Sequence, residues 1–216
     1  MSLENRYQKI YSRFNKNAII RIIPGHFATS HSHITNYVDM TILKSRKSEA
    51  SAAADVLAVP STNTTIVDTI ICMDGCEVIG AYLAENLTAS GIMSINEHQT
   101  MYIVSPETNS DGQLIFRDNM QLMIRNKHCL LLLASATTGR TVARALECIA
   151  YYGGRVAGIS AIFSAAPVVN GIKINSIFTA ADLPNYETYE SASCPMCKQG
   201  VKLDAIVNSF GYSALL

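Results

Sequence analysis

The strongest pattern of apolar and polar positions lies past the middle of the chain. Cys129 to Ala134 is an unbroken apolar run bounded by turn residues, which reads as a strand buried on both faces. A small-residue loop follows from Ser135 to Arg140. Apolar residues then return at Val142, Ala145, Leu146 and Ile149, the spacing of an amphipathic helix packed on that strand. Gly153 and Gly154 stop the helix, and Arg155 to Phe163 is the next strand. This is a βαβ unit with a loop at a helix N-terminus.

The same pattern extends outward without a fixed sequence period. Thr65 to Met73 predicts a second buried strand, and Asp74-Gly75-Cys76-Glu77 turns the chain into a helix over Val78 to Leu87. Ahead of it, the basic residues Lys44, Arg46 and Lys47 read as a solvated turn before an Ala-rich helix ending near Ala58. Thr100 to Val104 predicts a third strand. Ser105 to Asn119 begins as a polar loop rich in turn residues, with Gln113 to Phe116 as the far arm of a hairpin. It suits either a lid or a passive surface hairpin. At the N-terminal end, Glu4 to Lys16 predicts an amphipathic helix with Tyr7, Ile10, Tyr11 and Phe14 on one face, and Ala18 to Ile23 a short apolar run broken at Pro24-Gly25. Ile172 to Phe178 predicts an edge strand. Together these elements predict an α/β fold: a mainly parallel sheet with helices on both faces, a core over about residues 46–164, and a small hood from about 1–45 and 165–216.

Composition narrows the function classes. The chain of 216 residues is long enough for one α/β domain with a full core. Charged residues make up only 16%, which predicts that part of the surface is covered, as in a homodimer. A formal net charge of +0 argues against a nucleic-acid partner. No apolar run approaches the roughly 20 residues of a membrane span, and the polar start is unlike a signal peptide. The 6 Cys are scattered, several inside apolar runs, which fits reduced thiols in the cytoplasm.

Three clusters carry candidate chemistry. In the loop Ser135, Ala136, Thr137, Thr138, Gly139, Arg140, Thr141, free backbone N–H groups meet the positive end of a helix dipole. Hydroxyls and an arginine surround them, so the loop suits a phosphate. The same residues also suit an ordinary strand-to-helix turn, because TTGRT matches no common nucleotide fingerprint. His26, His31 and His33 lie close together, with His31 and His33 on one face of a strand. A metal site is the lesser expectation there, since no carboxylate or Cys nearby completes a ligand set, and a planar polar ligand suits them as well. Cys194-Pro195-Met196-Cys197 supplies two thiols, whereas zinc usually takes four ligands. The remaining cysteines, Cys72, Cys76, Cys129 and Cys148, fall in core segments, so a turn or a dimer-bridging thiol pair is expected and metal is not.

From Gly25 onward the segments resemble the type I phosphoribosyltransferases, and among them the orotate phosphoribosyltransferases of bacteria and archaea. Gly25 to Asp39 resembles that group's substrate segment, Asp111 to Asn119 its flexible-loop hairpin, TTGRT its ribose-phosphate loop, and Cys194 to Leu203 a C-terminal Cys-Pro-x-Cys signature. The resemblance implies transfer of a phosphoribosyl group from phosphoribosyl pyrophosphate to orotate, giving orotidine monophosphate for pyrimidine nucleotide synthesis, with Mg2+. It implies that residues 135–141 hold the phosphate, that Phe27, His33 and Tyr37 face the base, and that Asp74, Gly75, Cys76 and Glu77 occupy the pyrophosphate-loop position.

Several family positions hold other residues. Leu133 and Ala134 stand where two acids would bind the ribose hydroxyls, and Ser164 and Ala165 where an acid and an arginine are expected. The loop around Pro106, Glu107 and Thr108 lacks its lysine, and Asn208, Ser209 and Phe210 replace a basic ending. Asp74 and Glu77 repel pyrophosphate unless a cation lies between. Each lost charge-assisted hydrogen bond costs about 1.5–3 kcal/mol. The expectation is weak or altered transferase activity, or a regulatory protein that binds a nucleotide or ribose phosphate without catalysis.

Overall fold

The computed structural model describes residues 3–62, 64–89, 95–97, 100–110 and 112–215. A 3-10 turn at Leu3–Arg6 leads into strands β1 (Gln8–Tyr11), β2 (Ile19–Ala28) and β3 (Ser32–Asp39). Helices α1 (Thr41–Ser45) and α2 (Lys47–Ala58) precede β4 (Thr69–Cys72), α3 (Glu77–Thr88) and β5 (Tyr102–Val104). A small hairpin of β6 (Glu107–Thr108) and β7 (Leu114–Ile115) is followed by α4 (Asp118–Gln121). The central unit is β8 (His128–Ala136), α5 (Arg140–Tyr151) and β9 (Arg155–Ser164). After it come β10 (Val168–Val169), β11 (Ile172–Thr179), β12 (Thr188–Glu190), α6 (Pro195–Lys198), β13 (Ala205–Asn208) and β14 (Gly211–Ala214).

The core sheet has the order β10-β11-β9-β8-β4-β5, and all its neighbours are parallel except β10 and β11. Its central strand shows why the sequence there is apolar without alternation. Leu130, Leu132 and Ala134 pack among α2 and α3, while Leu131, Leu133 and Ala136 pack against α5 on the opposite face. Successive side chains point to opposite sides, and both sides are covered, so every position is apolar. Burying each leucine contributes about 1.5–3 kcal/mol. The fold is therefore α/β, with helices on both faces of a mainly parallel sheet.

The second sheet is the hood, with the order β12-β3-β2-β13-β14 and β1 on the other part of β2. Ile23, Phe27, Ile34, Tyr37, Ala205 and Val207 form its own small core. The core sheet reaches Thr179, beyond the expected boundary near residue 165, because β11 pairs along β9.

The N-terminal expectation is corrected. Residues 8–11 form a strand, not part of a helix, and pair antiparallel with Ile19 to Ile22. A turn at Asn15 joins them, with Ser12 N–H and Ala18 N–H both bonded across it. The backbone of β2 offers an open edge there, and Tyr11 and Phe14 stay exposed instead of lining a helix face. The apolar run at Ala18 to Ile23 does not stop at Pro24-Gly25 either, since β2 continues through a bulge. Asp111, the first residue of the segment compared with the family's loop, lies outside the described residues. Among the described residues, no helix is long and apolar enough to cross a membrane.

Candidate functional site

The loop after β8 turns at Gly139, which has φ 76° and forms the N-cap of α5. Two constraints select glycine. The backbone is left-handed, and an added Cβ would lie 2.6 Å from Val169 Cγ2. No side chain caps the helix, so the N–H groups of its first turn lack intrahelical and capping partners. Ser135, Ala136, Thr137, Thr138, Gly139, Arg140 and Thr141 all line a cleft of about 240 Å³ between the core sheet and the hood. The cleft therefore sits at the carboxyl end of β8, with the hood as its opposite wall.

A lysine ties those walls together. Lys44 Nζ donates to the Asp74 carbonyl at 2.6 Å and to the Ser209 carbonyl at 2.9 Å. Asp74 follows β4 in a left-handed conformation, φ 59°. Burial pushes its carboxyl above the usual range, although the Ser209 hydroxyl, Lys44 and the Ala134 N–H all pull the other way. Of the turn at 74–77, only Asp74 lines the cleft. Cys76 is fully buried, and burial pushes its thiol up to about 12. Glu77 is exposed and accepts a hydrogen bond from Ser105 Oγ at 2.6 Å.

The residues expected to face the base divide. Tyr37 lines the cleft, but Phe27 and His33 do not. Phe27 is fully buried in the hood's core, and His33 meets His26 instead. For Phe27 the cause is the bulge in β2. Pairing runs Pro24 with Asn36, then Phe27 with Ile34, so one extra residue enters β2 and re-aims the side chains beyond it. His31 stands at the exposed turn and lines the cleft, apart from His33. Sequence reasoning missed Lys44, Phe163, Tyr186 and Ser209 as cleft residues. Phe163 and Tyr186 make an edge-to-face pair with centroids 5.0 Å apart and form an aromatic wall of the cleft. The basic cluster containing Lys44 gives a signal but reads as a solvated turn, and Ser209 stands out only as a departure from a basic ending.

The polar groups missing from the sequence are also missing from the cleft. Leu133 and Ala134 are sealed in the core. The Ser164 hydroxyl donates to the Ala166 carbonyl at 2.6 Å and is spent locally. The cysteines of the C-terminal segment, Cys194 and Cys197, lie beside His26 and His33 and not in the cleft.

No family model matches the sequence, and no curated protein matches it. Solved structures do match the fold. Orotate phosphoribosyltransferase from Aeropyrum pernix aligns with 74% of this chain and 88% of its own, at TM-score 0.54 and 16% identity. Adenine phosphoribosyltransferase from Thermoanaerobacter pseudethanolicus aligns with 82% of this chain and 97% of its own, at TM-score 0.51 and 14% identity. Orotate phosphoribosyltransferase from Mycobacterium tuberculosis, in complex with 5-phospho-alpha-D-ribosyl 1-diphosphate, aligns with 68% of this chain and 83% of its own, at TM-score 0.51 and 14% identity. This chain has the fold of the type I phosphoribosyltransferases.

Proposed function

We propose that this chain binds a ligand bearing a ribose 5-phosphate, such as phosphoribosyl pyrophosphate or a nucleoside monophosphate, and transfers a phosphoribosyl group to orotate only weakly. The observation that carries this is one juxtaposition. The uncapped start of α5 opens onto the cleft, while Leu133 and Ala134, just before it, are buried without a polar group. A phosphate at this loop accepts from backbone amides and the threonine hydroxyls, with Arg140 adding a charge. The sugar hydroxyls beyond it find no carboxylate from β8.

Mg2+ does not fit this donor set. Among the described residues, Asp74 supplies the only carboxylate lining the cleft, and it already accepts from Ser209 and Ala134. Binding is therefore assigned to residues 135–141, and the aromatic wall of Phe163 and Tyr186 favours a flat base over a specified one. A homodimer belongs to the same proposal, supported by the low charge of the chain.

Calorimetry with ribose 5-phosphate and phosphoribosyl pyrophosphate tests the binding. Arg140→Ala is expected to weaken it about tenfold or more, from the loss of a contact contributing about 1.5–3 kcal/mol. No heat with either ligand would sink the proposal. Turnover of orotate at an ordinary enzymatic rate, about 10 per second, would reject its second half.

A further inference from the structure

Outside the cleft, four side chains converge in the hood from segments far apart in sequence. His26 on β2 and His33 on β3 place Nε2 and Nδ1 3.1 Å apart. Cys194 precedes α6 and Cys197 lies within it. Cys194 Sγ is 3.5 Å from His26 Nε2, and Cys197 Sγ is 3.7 Å from the same atom and 3.3 Å from His33 Nδ1. All four donor atoms lie within 4.8 Å of one another.

These spacings have a chemical meaning. Around a tetrahedral zinc ion, with nitrogen at about 2.0–2.1 Å and sulfur at about 2.3 Å, donors stand apart by about 3.3 Å for two nitrogens and about 3.5 Å for nitrogen and sulfur. The His26–His33 separation and the three nitrogen–sulfur separations agree to within a few tenths of an ångström. The tautomer agrees too. His26 Nδ1 lies 2.9 Å from the Val201 carbonyl, which can only accept, so Nδ1 carries the proton and Nε2 presents its lone pair to the cluster. A carbonyl partner on the far nitrogen is the usual support of a metal-bound histidine. The turn after α6 fixes the two thiols on one side. Lys198 N–H and Gly200 N–H donate to the carbonyls of Cys194 and Cys197, and Val201 N–H to that of Met196.

We propose that His26 Nε2, His33 Nδ1, Cys194 Sγ and Cys197 Sγ bind one Zn2+ in a closed, structural site. Two thiols release their protons on binding, and the two thiolates cancel the charge of the ion. The resulting neutral centre suits the burial of His26 and Cys194. Four protein ligands leave no open position, so the ion holds structure and activates no water. It pins the C-terminal segment to β2 and β3. On either side of that pin, Thr29 to Ser32 and Val207 to Ser209 line the cleft, so the site sets the distance between two of its rims. The missing ligands of the Cys-Pro-x-Cys segment are thus histidines, not the core cysteines. This proposal stands apart from the one for the cleft and does not require a ribose phosphate to bind.

The full chain, purified without chelator and dialysed, is expected to carry about one zinc per chain by mass spectrometry of the metal. Cys194→Ser combined with Cys197→Ser should cut that at least tenfold. Should the double variant fail to fold, the wild type decides. Stripped, reduced and titrated with Co2+, it should develop thiolate-to-cobalt charge transfer and the intense visible bands of tetrahedral cobalt, both abolished by equimolar Zn2+. A stripped and reduced wild type that takes up neither ion overturns the proposal. So does a cobalt spectrum without the thiolate band, or a freshly purified chain with no zinc and a Cys194–Cys197 disulfide.

Discussion

Leu131 on β8 and His26 on β2 are both buried almost completely, yet what surrounds them differs in kind. Leu131 belongs to the apolar cluster between the core sheet and α5. His26 is held by the Val201 carbonyl, by Asp204 on its N–H at 2.9 Å, by His33 and by two sulfurs. The core sheet is stabilised by burial spread over many side chains, much of it within one βαβ stretch. The hood has only a small apolar core and is held besides by a few polar contacts between distant segments, such as Arg6 to Asp204 at 2.7 Å and Lys44 to the Ser209 carbonyl. A spread contribution degrades gradually and globally, whereas a concentrated one fails at single residues and locally.

Leu131→Ala gives the largest expected effect, about 2–5 kcal/mol, because a fully buried leucine leaves a cavity. The loss should appear as a shift of the whole urea transition, with probes in both sheets moving together. If only the hood loosened, the core would not be the base on which the hood rests.

Gly25→Ala tests the other region. A Cβ there would lie 2.4 Å from Asp204 Oδ2 and 3.0 Å from the Phe27 ring. Moving either costs about 1–3 kcal/mol. Amide exchange should quicken in β2, β3 and β13 and stay unchanged in β8. Equal quickening in β8 would show that the hood has no local opening of its own.

The contrast also explains what the sequence made legible. The strands, turn and helix from Cys129 to Phe163 were readable because periodicity is local and burial on both faces leaves a continuous apolar run. The cleft loop was readable for the same reason, as the junction of two strong local signals. The hood was not. Residues 8–11 are a strand because β2 lends them an edge, a fact absent from their own spacing. Phe27 turns into the hood's own core because one residue is inserted in its strand. The Cys194–Cys197 pair finds its partners more than a hundred residues upstream, where no spacing rule points.

A smaller effect follows at Asp204. Burial raises its carboxyl, but the Arg6 hydrogen bond, the His26 N–H and the nearby positive charge outweigh this and hold it below the ordinary range. The unfolded chain takes up the proton near pH 3.9, the folded chain only at lower pH. Between those points the unfolded state binds more protons, so stability falls as pH drops. Asp204→Asn should cost about 1 kcal/mol at pH 7, since Arg6 and Asp204 are each about 30% exposed and partly screened. Urea melts at pH 7 and pH 3 should show that cost shrinking in acid. A cost that persists at pH 3 would mean that shape, not charge, is what Asp204 supplies.

Asp74 should behave in the opposite sense, although it too is a half-buried carboxylate with several donors. Its carboxyl is pushed up, burial outweighing Ser209, Lys44 and Ala134. The folded chain therefore keeps this proton where the unfolded chain has lost it, and stability falls as pH rises out of the ordinary carboxylate range. Asparagine tolerates the left-handed backbone at this position and removes the charge. Asp74→Asn should be more stable than the wild type at pH 7, on the order of half a kcal/mol, and no different at pH 3. It should also bind ribose 5-phosphate more tightly, because a like charge has left the cleft. Loss of stability at pH 7 would mean that the bonds from Ser209 and Ala134 outweigh the cost of burial. Asp74 would then be a second anchor of the Asp204 kind, and the cleft would share the hood's dependence on a few polar contacts.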